Sequence, residues 1–130
     1  MNHRISSIVA VTTLTIFSAT SQSANWEPIS GQAVMDLLAD KTGVGGSYSL
    51  YYGPDGKQKG RWGGFVYSAK YYTNDKGHFC NVWLDWDKGK QEGCWSVSHK
   101  SGKEVKFEPE SGRADKPVTF PLKEGNAHNL

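Results

Sequence analysis

The sequence predicts a mainly β fold, a single small antiparallel β-meander or open barrel with one N-terminal helix and one disulfide. Three observations indicate this fold class. Only one stretch of the chain has helical periodicity. The rest alternates short β-prone runs with turn residues, a pattern typical of antiparallel strands joined by hairpins. Finally, the two cysteines lie symmetrically about a predicted turn.

The N-terminus has the pattern of a secretory signal peptide. Arg4 precedes an apolar run over residues 5–17, and small residues follow it. The apolar run is shorter than the about 20 residues that a membrane-spanning helix needs. Cleavage is expected after Ser21, Ser23 or Ala24.

Signal cleavage defines the rest of the organisation. We expect residues 1–24 to be the signal peptide and residues 25–130 to form one β-rich domain without a transmembrane segment. The expected location is periplasmic or secreted. The chain carries 15 basic and 13 acidic side chains, and so balanced a charge gives no electrostatic reason for a nucleic-acid partner.

The one helical stretch is SGQAVMDLLADKTG, residues 30–43. Ser30 is the expected N-cap and Gly43 the expected stop, so the helix is predicted over about residues 31–41. Its apolar stripe consists of Ala33, Val34, Leu37 and Leu38. A helix this short must pack against the sheet to persist.

The strands are predicted between about residues 46 and 122. Turn chemistry divides this part of the chain at GPDGK, NDKG, DKGK, SGK and ESGRADK. About six strands result.

Both cysteines lie in the segment GHFCNVWLDWDKGKQEGCWSV, residues 77–97. An even number of cysteines in an exported chain predicts a disulfide, and Cys80 and Cys94 allow a single pairing. If they face each other across a hairpin, Val82 faces Glu92. Closing a loop of this length contributes about 3 kcal/mol to stability.

This hairpin is apolar on both faces. Val82, Leu84 and Trp86 share the cysteine face, whereas Phe79, Trp83, Trp95 and Val97 share the reverse face. One face can form the core. The other must then be covered by the helix, a partner or a ligand.

Signals of catalysis are weak. The chain has none of the common nucleophile-elbow, zinc-protease or phosphate-loop motifs. Asp85 and Asp87 resemble a carboxylate pair, but turn chemistry and solvent exposure explain them better. His78 and His99 are interpreted as solvated residues at strand ends, although together with Asp85 they allow a metal site to be imagined. We therefore predict no enzyme activity, no cofactor and no metal.

The aromatic residues are the strongest functional signal. Five tryptophans and six tyrosines serve either as core or as binding platforms, since aromatic rings bury large areas at low entropic cost. Trp83 and Trp95 are favoured as core. The candidate binding surface consists of Tyr51, Trp62, Tyr71, Tyr72, Trp83, Trp86 and Trp95. A pocket between the helix and the sheet is the default expectation.

The chain also resembles a family of small exported proteobacterial proteins described only as a domain of unknown function. The resemblance rests on LLADKTG, YYGPDGKQKGRW, GHFCNVW, GCWSV and the EGNAHNL ending. It departs from the family at FVYSAKYYT, where a further tryptophan strand is usual. The resemblance implies an exported β-rich fold with a disulfide, and it implies no activity or catalytic residues.

Three functional hypotheses follow. The leading one is a non-enzymatic domain of the cell envelope that binds a protein partner or a small apolar or sugar ligand. The alternative is an inhibitor or modulator of an envelope enzyme such as a lysozyme or hydrolase. The third is a small hydrolase that uses Asp85, Asp87 or a histidine.

Overall fold

Nine strands and one short helix make up the part of the chain that the structure describes. The computed structural model describes residues 25–130, so the predicted signal peptide over residues 1–24 lies outside it. The prediction of a mainly β fold with one short helix is confirmed. Within residues 25–130, no helix is both long and apolar enough to cross a membrane.

The elements follow one another with short connections. They are β1 (Glu27–Ile29), α1 (Gln32–Leu38), β2 (Lys41–Val44), β3 (Tyr48–Tyr52), β4 (Lys57–Trp62), β5 (Phe65–Thr73), β6 (Phe79–Trp83), β7 (Glu92–Lys100), β8 (Glu104–Gly112) and β9 (Val118–Glu124). A single 3-10 turn, Asp87–Gly89, lies between β6 and β7.

Strands β2 to β9 form a closed antiparallel barrel in which each strand pairs with its neighbours in sequence. Pairing of β2 with β9 closes the ring, with Lys41 opposite Glu124 and Gly43 opposite Leu122. β1 lies outside the ring and pairs with the end of β7, where Ile29 lies opposite Val97. The expected open barrel of about six strands is therefore corrected to a closed one of eight. The closing strand β2 was assigned to the helix end, and the turn at residues 63–64 that divides β4 from β5 was not recognised.

The helix is shorter than the predicted span of 31–41. It begins after Gly31, which has φ of 60° and provides no side-chain cap, so Ser30 is not the N-cap. It ends before Asp40, which has a positive φ of 56°. The predicted stop, Gly43, lies in β2 instead. Ladder hydrogen bonds to two neighbouring strands compete successfully here with helix propagation.

The helix α1 seals one end of the barrel. Val34 and Leu38 are completely buried in the barrel core. The helix is fixed to the surrounding turns at both ends, since Gly31 N donates to Gly77 O at 2.9 Å and Lys41 Nζ donates to Leu37 O at 2.7 Å. This plug covers an end of the barrel rather than a face of an open sheet.

Alternation along each strand fills the interior with aromatic rings. Tyr52, Phe79 and Phe107 are buried beneath the helix, and Tyr52 and Phe79 pack edge to face at 5.9 Å. Gly60 provides space for the largest rings, because a Cβ atom there would lie 2.7 Å from the Trp83 ring and closer still to that of Trp62. An inward glycine thus lets two indoles meet in a narrow barrel.

The disulfide hairpin has the predicted register. Cys80 lies opposite Cys94 and Val82 opposite Glu92, and the two sulfurs are 2.14 Å apart. Cys80 and Val82 point outward and the reverse face points into the barrel. The barrel interior therefore covers Trp83. Helix α1 closes one end of that interior. The placement of Trp86 on the cysteine face was wrong: β6 ends at Trp83, so strand alternation stops there, and the Trp86 ring packs against that of Trp83.

The segment after β9 folds back on the outer wall. Thr42 Oγ1 donates to Gly125 O at 2.7 Å and accepts from Ala127 N at 3.0 Å. Ser49 and His128 are hydrogen-bonded through Oγ and Nδ1. These contacts explain the two polar residues, Thr42 and Ser49, that are buried on the outside of the barrel.

Candidate ligand-binding cavity

The two ends of the barrel differ. Helix α1 covers the end formed by the turns β3–β4, β5–β6 and β7–β8. We call the opposite end the mouth, and it is formed by residues 45–47, 63–64, 84–91 and 113–117. The helix does not reach the mouth, so any access to the interior lies there.

A cavity of about 240 Å³ lies inside the barrel and extends from Arg113 at the mouth to Tyr52 and Phe79 beneath the helix. Eight of its thirteen lining residues are aromatic, two are aliphatic and three are polar. They are Tyr48, Tyr52, Trp62, Phe79, Trp83, Trp95, Phe107 and Phe120; Leu50 and Val118; and Gln58, Asn81 and Arg113. Such a wall favours an apolar ligand that is oriented by a few polar groups.

The indole rings form the upper wall of the cavity. Trp62 and Trp83 pack edge to face with centroids 5.1 Å apart, and Tyr48 stacks on Trp62 at 6.0 Å. Aromatic pairs of this geometry hold each other in place. The wall is therefore preorganised.

A hydrogen-bonded chain of three polar side chains runs from the mouth into the interior. Arg113, which directly follows β8, donates through Nη2 to Asn81 Oδ1 and, at 3.2 Å, to the Asn81 carbonyl. Asn81 Nδ2 donates to Gln58 Oε1 at 2.9 Å. Gln58 is 1% exposed, so the chain extends to the core.

Arg113 is a half-buried cation at the mouth. Among the carboxylates whose side chains the structure describes, which do not include that of Asp87, none has an oxygen within 4.0 Å of its guanidinium. It lies over the Trp95 ring at 5.3 Å, and Nε donates to Gln91 O at 3.2 Å. Burial lowers the pKa of Arg113 from its usual value, yet a guanidinium stays charged at neutral pH.

The rim of the mouth is apolar and exposed. Phe65 is 70% exposed and Trp86 is 42% exposed, and Val66 and Leu84 are exposed beside them. The Trp86 ring packs against those of Trp83 and Tyr67, at 5.4 and 5.3 Å. Exposed apolar groups thus concentrate where the cavity meets solvent.

The structure separates the predicted binding residues into two groups. Trp62, Trp83 and Trp95 line the cavity, and Trp86 lies at the rim. The other three predicted residues lie away from it.

The three tyrosines have other surroundings. Tyr71 is buried, and its hydroxyl donates to Gly53 O in the β3–β4 turn. Tyr51 is on the outer wall, where it donates to Asp40 Oδ1 at 2.8 Å. Tyr72 is also outside and donates to Glu92 Oε2 beside the disulfide. The pocket expected between helix and sheet is instead enclosed by the barrel.

Sequence reasoning missed the polar residues of the cavity. Asn81 lies between Phe79 and Trp83, so strand alternation places it on their inward face. The position of Asn81 between two inward aromatic residues could therefore have indicated a polar group inside the barrel. Arg113 gave none, since it lies in a turn-rich segment, ESGRADK, that carries charges of both signs.

The groups considered for catalysis lie outside the cavity lining. Asp85 is exposed and accepts a hydrogen bond from Ser68 N at 2.7 Å, and the side chain of Asp87 lies outside the described part of the chain. His99 Nδ1 accepts from Gly102 N at 2.9 Å. Cys80, Glu92 and Cys94 bring donor atoms within 4.8 Å of one another, but the two sulfurs are bonded to each other.

Comparison of the chain with protein-family models, with curated proteins and with solved structures gave no match.

Proposed function

We propose that this chain is a non-enzymatic binding protein that holds one small apolar ligand inside its barrel. The observation that carries the proposal is the aromatic cavity of about 240 Å³ that extends from the mouth into the barrel. An eight-stranded barrel has an interior that is either filled by side chains or wide enough for one small ligand. Here the side chains leave about 240 Å³ of the interior unfilled, which favours the second arrangement.

The composition of the lining favours binding over catalysis. Among the described residues that line the cavity there is no carboxylate, imidazole or thiol. These are the groups that most often act as general acids, bases and nucleophiles. The cavity therefore offers a ligand shape and hydrogen bonds rather than a reactive group. The predicted export would place this activity in the periplasm or outside the cell.

Binding of a neutral aromatic probe tests the proposal. Apolar cavities of about 150 Å³ take up benzene, so acetophenone, which is somewhat larger, is a suitable probe. Saturation-transfer NMR and calorimetry on the purified protein should detect its binding. Val118→Phe should weaken that binding by about tenfold or more, because the added ring occupies the cavity near the mouth.

Thr119→Phe is the matched control. Thr119 is the next residue of β9 and is exposed on the outer wall, so the same side chain there should leave the affinity unchanged. Thermal unfolding monitors the fold of both variants. An absence of acetophenone binding to the wild-type protein would contradict the proposal, and so would equal losses in the two folded variants.

A further inference from the structure

We propose that the ligand is a small apolar carboxylic acid, which binds with its carboxylate against Arg113 and its apolar body among the indole rings. This inference rests on the proposed function, because it names the chemical class that the cavity takes. The inference is supported by the charge of Arg113 and by the direction of the hydrogen bonds that join Arg113, Asn81 and Gln58.

The direction of the chain is fixed by chemistry. A guanidinium only donates hydrogen bonds, so Asn81 must present its side-chain oxygen to Arg113. The amide nitrogen of Asn81 then faces Gln58 and donates to its Oε1. Each amide therefore accepts through its oxygen and donates through its nitrogen. The Oε1 of Gln58 is used by Asn81, so the side-chain NH₂ of Gln58 is left to donate to a further partner.

The remaining polar groups of the cavity are thus mainly donors. In Arg113, Nε and Nη2 are used by Gln91 and Asn81, which leaves the N–H groups of Nη1. The buried Trp95 Nε1 has no acceptor among the described residues. The hydroxyls of Tyr48 and Tyr52 adapt as donors or acceptors. A ligand rich in acceptors complements this set, whereas a ligand that only donates does not.

The positive charge of Arg113 favours an anionic ligand over a neutral hydrogen-bond acceptor. A half-buried cation is unfavourable unless an anion pairs with it, and no described carboxylate lies close to Arg113. A hydrogen bond from the free Nη1 of Arg113 to a carboxylate would join two charged groups, and such bonds are about twice as strong as neutral ones. The cation–π contact with Trp95 compensates for part of the free-energy cost of desolvating the Arg113 guanidinium. A ligand carboxylate would compensate for the rest.

The volume bounds the size of the acid. If about 150 Å³ takes up benzene, a cavity of about 240 Å³ corresponds to about ten non-hydrogen atoms. Benzoate is of this size. Acetophenone is its neutral counterpart of the same shape and benzylamine is its cationic counterpart.

The experiment compares the affinities of these three compounds for the wild-type protein, Arg113→Gln and Lys116→Gln. Glutamine at position 113 keeps a donor for Asn81 and removes the charge. Lys116 is an exposed cation of the same β8–β9 connection, so its variant is the control for net charge. In the wild-type protein benzoate should bind about tenfold more tightly than acetophenone, and benzylamine should bind most weakly.

Arg113→Gln should reduce the ratio of benzoate to acetophenone affinity to about one, and Lys116→Gln should keep the ratio. Equal wild-type affinities for benzoate and acetophenone would overturn the carboxylate inference and leave the proposed function standing. A ratio that persists in Arg113→Gln would overturn the role of Arg113. Failure of acetophenone to bind the wild-type protein would overturn the proposed function and this inference with it.

Thermal unfolding reports whether Arg113→Gln is folded. If the variant does not fold, NMR of the wild-type protein decides. The Arg113 Nε–H resonance should then shift on addition of benzoate and stay in place on addition of acetophenone. A resonance that responds equally to both compounds would overturn the inference.

Discussion

The buried tyrosines near the plugged end make the barrel sensitive to high pH. Burial, and to a lesser extent the negative charge of Asp55, raises the pKa of Tyr71 to about 12. Burial also raises the pKa of Tyr52 well above its usual value. In the unfolded chain both hydroxyls ionise near pH 10. Above that pH the folded state therefore binds more protons than the unfolded state.

The sign of the pH dependence follows from this difference. The free energy of unfolding should be unaffected by these groups below about pH 10 and should fall as the pH rises from about 10 to about 12. The limiting slope is about 1.4 kcal/mol per pH unit for each tyrosine. Urea unfolding over this range should show a shallower fall for Tyr71→Phe. An identical slope in the variant would contradict the assignment to Tyr71.

The cavity residues show how much one position depends on its neighbours. Trp83 and Trp95 were favoured as core, and Trp83 is indeed buried, with 5% exposure. Both also line the cavity, so core and binding wall are not alternatives in this barrel. The sequence pattern is the same for an aromatic residue that fills the core and for one that lines a cavity. Strand alternation predicts which way a side chain points but not whether other atoms fill the space in front of it.

Among the elements, the β6–β7 hairpin was the most predictable. Its register follows from two cysteines whose separation of 14 residues fits one hairpin. The span of helix α1 was less predictable, because β2, the strand that closes the barrel, begins where the predicted helix was expected to end. Propensity favoured a helix over about residues 31–41, but pairing of Lys41 with Tyr52 and Glu124 decided the outcome. Such tertiary pairing routinely overrides local propensity.

Removal of the disulfide should destabilise the hairpin and the whole barrel. Cys80→Ser or Cys94→Ser should lower the free energy of unfolding by about 2 to 5 kcal/mol, because the open chain gains entropy in the unfolded state. Urea unfolding of the oxidised protein measures this, and reduction of the wild-type protein should give a similar loss. Two titratable thiols in the oxidised wild-type protein would contradict the disulfide.

The molecule as a whole is a barrel with one plugged end and one apolar, exposed rim. Leu38 belongs to the plug, is completely buried and does not line the cavity. The plug should therefore determine stability, and the mouth should determine ligand binding.

Leu38→Ala separates these two roles. It should lower the free energy of unfolding by about 2 to 5 kcal/mol through lost burial and a residual cavity. Below its melting temperature the folded variant should keep the wild-type affinity for acetophenone. Asp36→Ala, on the exposed face of the same helix, is the control and should change stability by about 0.5 kcal/mol or less. A large loss of affinity in folded Leu38→Ala would contradict this division.

The sequence by itself determined the mainly β class, the short helix, the hairpin register and the inward direction of Trp83, because each depends on residues close together in the chain. Tertiary structure alone decided the closure of the barrel, since Thr42 meets the segment after β9 across 83 residues. It also brought Arg113 to Asn81, 32 residues away. No local period encodes such contacts. They form because closure of the barrel pairs β2 with β9 and places Arg113 of the β8–β9 connection over the aromatic interior.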